Sequence, residues 1–277
     1  MELPIQQQVE RSIIKTYRKE IWNRFVEGIK RYEMLQEGDK VCVCLSGGKD
    51  SMLLAKCMQQ LQRHSDFPFS LSFLVLDPGY APENRAQIEQ NAALLGVPIE
   101  IFEANIFRYV EKQDGSPCYL CARMRRGYLY KYAQQLGCNK IALGHHFDDV
   151  IETILMSILY GGEVKTMLPK LHSTNFPGME LIRPLYLVKE HDILRWVKLH
   201  DLRFLRCACA MEQSDAAGES GKRAATKALI LSLCKENSNI DSNIFHAVED
   251  VNLETLLGYR RGETHISFLD QYDEITE

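Results

Sequence analysis

The chain has 277 residues, of which 45% are hydrophobic, enough to bury one full core and a smaller appendage. Its formal net charge of −4 at pH 7 excludes a generally basic protein, so any contact with nucleic acid has to come from local basic patches. No apolar run approaches the roughly 18–20 residues of a membrane span, and the polar N-terminus does not resemble a signal peptide, which predicts a cytoplasmic protein with no membrane partner.

The N-terminal residues 7–35 combine a helical spacing of apolar side chains with interspersed lysines and arginines. Ile13, Tyr17 and Ile21 belong to the apolar side of this pattern, which predicts a basic amphipathic helix. Its charged side is either a solvated surface or a contact for RNA, and the pattern leaves both open. The first predicted unit, residues 1–35, is this helical extension.

From residue 40 onward, short apolar runs alternate with helical patterns of about 10–15 residues, which predicts βαβ units and a parallel sheet. The predicted strands are 41–45, 71–76, 98–102 and 140–143, and the predicted helices are 51–63, 83–95, 121–136 and 148–159. Ser46, Asp77 and Gly144 follow the carboxyl ends of three strands, where such sheets bind ligands. The fold class is therefore α/β, with the polar motifs at one edge of the sheet.

Beyond residue 160 the pattern is less regular, and the mixed charge and glycines of residues 212–223 predict a mobile loop. The remaining predicted pieces are a loop-rich connection at 160–183, a last strand at 181–187, helices at 189–200, 224–237 and 240–257, and a polar tail. The predicted domains after the N-terminal extension are residues 36–215 and a helical C-terminal region with a tail, residues 216–277.

The glycine pair after the first strand is the most informative motif in the chain. Backbone N–H groups at glycines and the start of a helix favour a bound anion. Lys49 adds a cation, and Asp50 can hold Mg²⁺ against phosphates. A Walker A loop would need glycine in place of Val43 and serine or threonine in place of Asp50, so a plain glycine turn is the remaining alternative. The candidate phosphate loop comprises Ser46, Gly47, Gly48, Lys49, Asp50 and Ser51.

Two further segments follow predicted strands. Residues 144–149 (Gly-His-His-Phe-Asp-Asp) bring two imidazoles and two carboxylates to the start of a helix, which suits the handling of a nucleotide and Mg²⁺, with Asp149 as the favoured polar contact. Asp148 can act as a helix cap. Residues 77–80 (Asp-Pro-Gly-Tyr) are either a simple turn or a nucleotide contact.

Nine cysteines in a cytoplasmic protein argue against a disulfide framework and for metal or redox use of a subset. Cys118 and Cys121 form a CxxC that enters a helix, and Cys207 and Cys209 form a CxC much later. Zinc prefers two to four residues between paired cysteines, whereas three thiolates on a four-iron cluster would leave one iron open for sulfur. The spacing alone leaves zinc, an iron–sulfur cluster and a redox dithiol open.

Residues 46–51 resemble the PP-loop of the N-type ATP pyrophosphatases, which share a HUP or adenine nucleotide alpha hydrolase-like fold and cleave ATP between its α- and β-phosphates. Residues 118–127 (Cys-Tyr-Leu-Cys-Ala-Arg-Met-Arg-Arg-Gly) resemble the signature of one branch, the TtcA family of tRNA 2-thiocytidine synthetases. The resemblance runs in the same order over roughly residues 25–235. It includes the segments Gly144-His145-His146, Tyr160-Gly161-Gly162, Pro169-Lys170-Leu171 and Ile182-Arg183-Pro184-Leu185.

The resemblance implies an enzyme that adenylates the C2 oxygen of a tRNA cytidine with ATP and Mg²⁺ and replaces it with sulfur through a [4Fe–4S] cluster. Cys118 and Cys121 would be cluster ligands, with Cys209 preferred over Cys207 as the third. Partners would be tRNA and a sulfur donor such as a cysteine desulfurase, with a homodimer left open. Lys49 and Asp50 would be catalytic, and the nucleotide contacts would be residues 46–51 together with Asp77, Gly144, His145 and Asp149.

Arginines close to the CxxC, together with neighbouring tyrosines, suit phosphate pairing and base stacking, with a solvated surface as the alternative. This candidate RNA surface includes Arg123, Arg125, Arg126, Tyr128 and Tyr130. Two other functions stay open. A nucleotide-binding iron–sulfur redox sensor would show no turnover stimulated by tRNA, and a PP-loop enzyme for another nucleotide or a small molecule would turn over ATP without tRNA.

Overall fold

A computed structural model describes residues 3–110, 117–205 and 219–274. Its main sheet contains β1 (Lys40–Leu45), β2 (Ser70–Asp77), β3 (Ile99–Glu103), β4 (Lys140–Ala142), β5 (Lys170–His172) and β6 (Glu180–Ile182). The strand order is β3-β2-β1-β4-β6-β5, with β5 antiparallel to β6 and the other described neighbours parallel. The predicted α/β class with a parallel sheet is confirmed.

The helices are α1 (Ile5–Arg11), α2 (Arg24–Arg31), α3 (Lys49–His64), α4 (Pro82–Leu95), α5 (Ile106–Val110), α6 (Pro117–Gln135), α7 (Phe147–Gly161), α8 (Glu190–Leu199), α9 (Glu219–Glu236) and α10 (Ile240–Glu249). From β1 the chain proceeds outward through α3 and α4 to β3, and then returns through α6 to β4 on the other side of β1. The order of strands thus reverses between β1 and β4. Such a reversal leaves a crevice beyond the carboxyl ends of the two strands.

The N-terminal segment is built differently from the single α-helix predicted at 7–35. Between α1 and α2 the chain forms two π-helical stretches, Ser12–Thr16 and Arg18–Asn23, and α2 ends at Arg31. A π turn contains more residues than an α turn and so rotates the part of the helix that follows it. The apolar side chains nevertheless form one continuous side of the segment. Val9, Ile13, Ile21 and Phe25 are fully buried, in the same core cluster as the main sheet, whereas Lys15 and Lys19 are exposed. The domain boundary at residue 35 stays a prediction.

The last predicted strand, 181–187, is shorter in the structure. Strand β6 ends at Ile182, because Pro184 has no N–H for a sheet and the chain turns, with the Tyr186 N–H donating to the Arg183 carbonyl at 3.0 Å. The connection before it contains β5, whose three residues carry no clear alternation. Residues 219–223 lie in α9 rather than in the predicted loop, and residues 212–218 lie outside the described part of the chain.

The C-terminal region differs from the prediction in its last elements. The helix predicted at 240–257 ends at Glu249, and the tail contains a hairpin of β7 (Gly258–Arg261) and β8 (Thr264–Ser267). Gly262 has a φ of +64°, which suits the two-residue turn that joins the strands. The last third of the chain is therefore helical with an added hairpin.

Four cysteines occupy the core. Cys42, Cys44, Cys57 and Cys138 are buried among apolar side chains, while Cys234 is half-buried. Burial raises the pKa of the Cys57 thiol, so this cysteine behaves as a small hydrophobic residue. Over the same described residues, we find no helix with the length and apolar character needed to cross a membrane.

We expect Phe25→Ala to lower the free energy of unfolding by about 3–5 kcal/mol, because it removes a fully buried ring and leaves a cavity in the shared core. Lys19→Ala, an exposed position on the same segment, should change it by less than about 0.5 kcal/mol. Urea denaturation measures both. Equal values for the two variants would show that the segment is no part of the folded core.

Candidate nucleotide site

The loop between β1 and α3 is held in a fixed shape by its own hydroxyls. Ser51 Oγ donates to the Gly48 carbonyl at 3.0 Å and accepts the Ser46 N–H at 3.2 Å. Gly47 has a φ of +81°, and a Cβ there would lie 2.6 Å from Ile88 Cγ1. Only glycine fits this position, since both the backbone conformation and the space exclude a side chain.

The end of β4 approaches this loop at Gly144. A Cβ on Gly144 would lie 3.0 Å from the Ser51 nitrogen and 3.1 Å from the Asp50 carbonyl carbon. The segment 144–149 therefore lies directly against the first turn of α3. This contact brings the two polar motifs of the sequence together at the reversal point of the sheet.

A cleft of about 280 Å³ opens at this point. Its lining includes six of the residues predicted for the site: Ser46, Asp50, Ser51, Gly144, His145 and Asp149. The rest of the lining is Cys44, Leu45, Leu76, Tyr80, Arg125, Leu129 and Leu143. Phosphate-loop residues, a neutral apolar wall and a tyrosine in one crevice are the surroundings that a nucleotide needs.

Asp77 does not line the cleft, although it ends β2 beside it. Its Oδ1 accepts the N–H groups of Gly79 at 2.8 Å and Tyr80 at 2.7 Å, and its Oδ2 lies 3.4 Å from Arg85. The carboxylate thus fixes the turn 77–80 that carries Tyr80 into the lining. The Asp77 side chain thus belongs to a turn, and a nucleotide contact of residues 77–80 stays a prediction.

Lys49 lies between two carboxylates. Its Nζ is 3.1 Å from Asp50 Oδ2 and 3.0 Å from Glu190 Oε1, at the start of α8. Burial opposes the charge of Lys49, but the two carboxylates outweigh it and raise the pKa of this lysine. Burial also raises the pKa of Asp50, and the charges of His146 and Lys49 offset only part of that effect. Lys49 is a firmly charged cation at the edge of the loop.

His145 and Asp149 occupy opposite sides of the second motif. Burial lowers the pKa of His145 well below its usual range, with Asp149 opposing and Arg183 reinforcing the shift. Arg183 Nε lies 3.3 Å from His145 Nδ1, so a neutral ring accepts this hydrogen bond at Nδ1 and carries its proton on Nε2. Burial would raise the pKa of Asp149, but His146, His145 and the His146 N–H at 3.0 Å lower it. The site therefore pairs a neutral imidazole with an ionised carboxylate.

Helix α9 adds two cations, Arg223 and Lys227, that the sequence analysis did not assign to the nucleotide site. Arg223 lies 3.0 Å from Glu152 and 3.6 Å from Asp149, and Lys227 forms an ion pair with Glu190. Glu190 itself was missed. The one available signal was its place just after the last strand, at the start of a helix, where residues of a parallel sheet meet the ligand edge.

Two buried polar atoms in the cleft have no hydrogen-bond partner among the described residues, Asp50 Oδ1 and Arg125 Nε. Buried polar groups are normally paired, so such atoms are where a ligand is expected. A carboxylate oxygen suits Mg²⁺, and a guanidinium nitrogen suits a phosphate or a base carbonyl. The described residues thus fit the magnesium complex of ATP.

The cysteine motifs are only partly within the described residues. Cys121 lies half-buried in α6, in a cluster with Leu76, Ala104 and Ile106, and Leu76 also lines the cleft. Cys118 is in the first turn of α6, but its side chain is not among those that the structure describes. Cys207 and Cys209 lie outside the described residues altogether. Leu205 is the last described residue before Cys207 and Cys209, and its N–H donates to the Gly47 carbonyl at 3.3 Å.

The candidate RNA surface divides into two groups. Arg123 and Arg126 are exposed on α6, whereas Arg125 turns into the cleft with its guanidinium 5.2 Å from the Phe107 ring. Tyr130 is buried and stacks on Phe176 at 5.0 Å, so the expectation that it stacks on an extruded base does not fit this arrangement. Tyr128 is half-buried against Tyr132.

A family model described as a PP-loop domain matches residues 8–213. A tRNA-cytidine(32) 2-sulfurtransferase from Legionella pneumophila (strain Paris) is 38% identical over 234 residues, 83% of this chain and 81% of that protein. The protein of the same name from Coxiella burnetii (strain Dugway 5J108-111) is 33% identical over 257 residues, 88% of this chain and 94% of that protein. The structure of the U34-tRNA thiolase NcsA from Methanococcus maripaludis with its [4Fe–4S] cluster aligns with a TM-score of 0.63 at 20% identity, over 85% of this chain and 80% of that one, which supports the fold.

We expect Gly47→Ala to weaken ATP binding at least about tenfold and to destabilise the protein, because its Cβ collides with Ile88 and shifts the loop. Gly38→Ala is a matched control, since Gly38 has a φ of +82° but no atom within 4 Å of a Cβ. It should cost only about 1–2 kcal/mol of backbone strain and leave ATP binding unchanged. Calorimetric titration with ATP and urea denaturation test both variants, and equal ATP affinities would remove the structural role assigned to Gly47.

Proposed function

The chain belongs to the PP-loop family and, within it, to the tRNA-cytidine 2-sulfurtransferases, and on this premise we propose how its residues carry out the reaction. The protein is an ATP-dependent tRNA sulfurtransferase. The relatives are named for cytidine 32, and we extend that position to the substrate of this chain. The observation that carries the proposal is the double role of α6, which brings Cys121 beside the cleft and Arg125 into its lining.

The first step uses the phosphate loop. The C2 oxygen of cytidine attacks the α-phosphorus of ATP, the bond to the oxygen that bridges the α- and β-phosphates breaks, and pyrophosphate leaves. Backbone N–H groups of the loop and Lys49 stabilise the charge that develops on the leaving group. Asp50, whose Oδ1 has no hydrogen-bond partner among the described residues, would hold Mg²⁺, and the bound metal would neutralise charge on the phosphates.

His145 and Asp149 hold the reactants in place. The neutral imidazole of His145 donates from Nε2 without adding charge, and Asp149 remains ionised at neutral pH beside Arg223. Arg125, whose Nε has no hydrogen-bond partner among the described residues, contacts the α-phosphate or the cytidine carbonyl as the new ester forms. In the second step a sulfur nucleophile attacks C2, the C2–O bond breaks, and AMP departs with the oxygen.

The cluster we propose is a [4Fe–4S] cluster held by cysteine thiolates, and Cys121 is the one proposed ligand whose side chain the structure describes. Cys118 and Cys121 are the proposed ligands from α6, and Cys209, with Cys207 as the alternative, is the proposed third. When bound, such a cluster with three protein thiolates supplies an open iron that can carry sulfur. Cys121 and Arg125 lie four residues apart on α6, which supports the proposal that sulfur chemistry and adenylation share one helix.

The tRNA and the sulfur donor complete the proposal. The exposed Arg123 and Arg126 continue α6 outward from the cleft and suit contacts with RNA phosphates. Sulfur comes from a donor such as a cysteine desulfurase, and we place the reaction in the cytoplasm. An assay of ATP consumption against the amount of thiolated tRNA distinguishes the redox-sensor and small-molecule alternatives. Only the thiolase consumes ATP in proportion to thiolated tRNA.

We expect a deletion strain to lack 2-thiocytidine in its tRNA and to regain it with the wild-type gene but not with Asp50→Ala, which removes the metal-binding carboxylate. Asp66→Ala, at an exposed carboxylate outside the site, should restore it fully. Mass spectrometry of tRNA nucleosides measures the product. Restoration by Asp50→Ala would exclude the role given to Asp50, and 2-thiocytidine in the deletion strain would exclude the proposed function.

We expect anaerobically purified protein to contain about four irons and four labile sulfides, and to lose them in Cys118→Ala. One of Cys207→Ala and Cys209→Ala should lose them as well, with Cys209→Ala preferred. Cys234→Ala, in the half-buried position on α9, should retain the full content. Stoichiometric zinc without labile sulfide would overturn the cluster assignment.

A further inference from the structure

Helix α9 points two cations, one helical turn apart, at the acidic side of the nucleotide cleft. Arg223 pairs with carboxylates of α7, and Lys227 pairs with Glu190 at the first residue of α8. Residues four apart on a helix share a face, so this face of α9 is directed toward the site. Lys222, next to Arg223, instead lies over the Tyr160 ring at 5.4 Å.

The two carboxylate oxygens of Glu190 contact different lysines. Its Oε1 is 3.0 Å from Lys49 Nζ, and its Oε2 accepts a hydrogen bond from Lys227 Nζ. The Glu190 N–H donates to Asp148 Oδ2 at 2.7 Å, which fixes the backbone of this residue against the second motif. The side chain of Glu190 is largely buried, and these two lysines hold its pKa at about 2 against the effect of burial.

This arrangement creates an electrostatic problem for the reaction. The lysine that serves the departing pyrophosphate is already bound to two carboxylates, Asp50 and Glu190. A phosphate must compete with them for Lys49, and the full charge of an unpaired Glu190 would also repel it. Lys227 reduces this competition, because it binds the Glu190 oxygen that Lys49 does not contact.

We propose that Lys227 and Glu190 are positioning residues of the adenylation step: Glu190 holds the Lys49 ammonium at the loop, and Lys227 neutralises Glu190 so that Lys49 stays available to ATP. The inference rests on the proposed function, since it needs ATP in the cleft. It assigns to α9 a part in the first half-reaction, in which Lys227 acts through Glu190 and touches no reacting atom.

A double-mutant cycle tests this assignment in the cluster-loaded protein. The variants are Lys227→Met, Glu190→Gln and their combination, with Lys227→Arg as the charge-conserving variant. The measured quantity is the affinity for α,β-methylene ATP with Mg²⁺, together with kcat and KM for ATP in tRNA thiolation. Lys235→Met, two turns further along α9 at an exposed position, is the matched control.

We expect Lys227→Met alone to weaken analogue binding about tenfold, because an uncompensated Glu190 then competes for Lys49. Glu190→Gln should bind the analogue at least as tightly as wild type yet lower kcat, because Lys49 loses its anchor. In the Glu190→Gln background, Lys227→Met should change affinity less than about twofold. Lys227→Arg should restore binding, and Lys235→Met should match wild type.

Three results would overturn the inference. Equal losses from Lys227→Met in both backgrounds would show that Lys227 contacts the phosphates itself. Unchanged affinity and KM for ATP in Lys227→Met would show that the ion pair has no part in the site. A lowered melting temperature with normal binding by the folded fraction would reduce it to a structural contact.

Failure of the proposed function looks different from failure of this inference. Wild-type protein that does not bind the ATP analogue at all would remove the nucleotide site, whatever the α9 variants do. Wild-type binding that is lost in Asp50→Ala but unchanged in Lys227→Met would keep the function and remove only the role of α9.

Discussion

The architecture of the site depends on one close contact, that of Gly144 at the end of β4 with the backbone of the first turn of α3. The adjacent parallel strands β1 and β4 bring the two segments together, and a side chain on Gly144 would force them apart. The two polar motifs of the nucleotide site meet at that contact. Asp50 and Lys49 lie on one side of it, and His145, His146 and Asp149 lie on the other.

A network of ion pairs surrounds this contact. Lys49 is held by Asp50 and Glu190, Glu190 is shared with Lys227, and Asp149 is shared with Arg223. The imidazole of His145 stays neutral next to these ions because Arg183 and burial oppose its protonation. Asp50 Oδ1 has no hydrogen-bond partner among the described residues and only a longer contact, at 3.8 Å, with His146 Nε2, so it is the atom that we assign to substrate and metal.

The parts of the site that the sequence predicts are those in which local pattern and strand ends coincide. Ser46, Asp50, Gly144 and Asp149 each follow or flank an apolar run, and parallel-sheet geometry brings such ends together. Glu190 offered only its place just after the last predicted strand, and its pairing with Lys227 could not be found, because it joins residues far apart in the chain and leaves no local periodicity. The short strand β5 and the π-helical stretches between α1 and α2 were missed for a related reason, since core packing rather than propensity decides them.

The N-terminal segment has a consequence for how the protein is made. Arg24 donates to the Leu187 carbonyl, and Ser12 Oγ lies 2.7 Å from His200 Nε2, so the first helices are completed by residues synthesised about 160–190 positions later. Until the ribosome has released α8, the apolar side of this segment has no complete surface to cover it. The contacts of α1 with α3 and α4 can form earlier, but the packing of the whole segment is completed only after α8 has emerged from the ribosome.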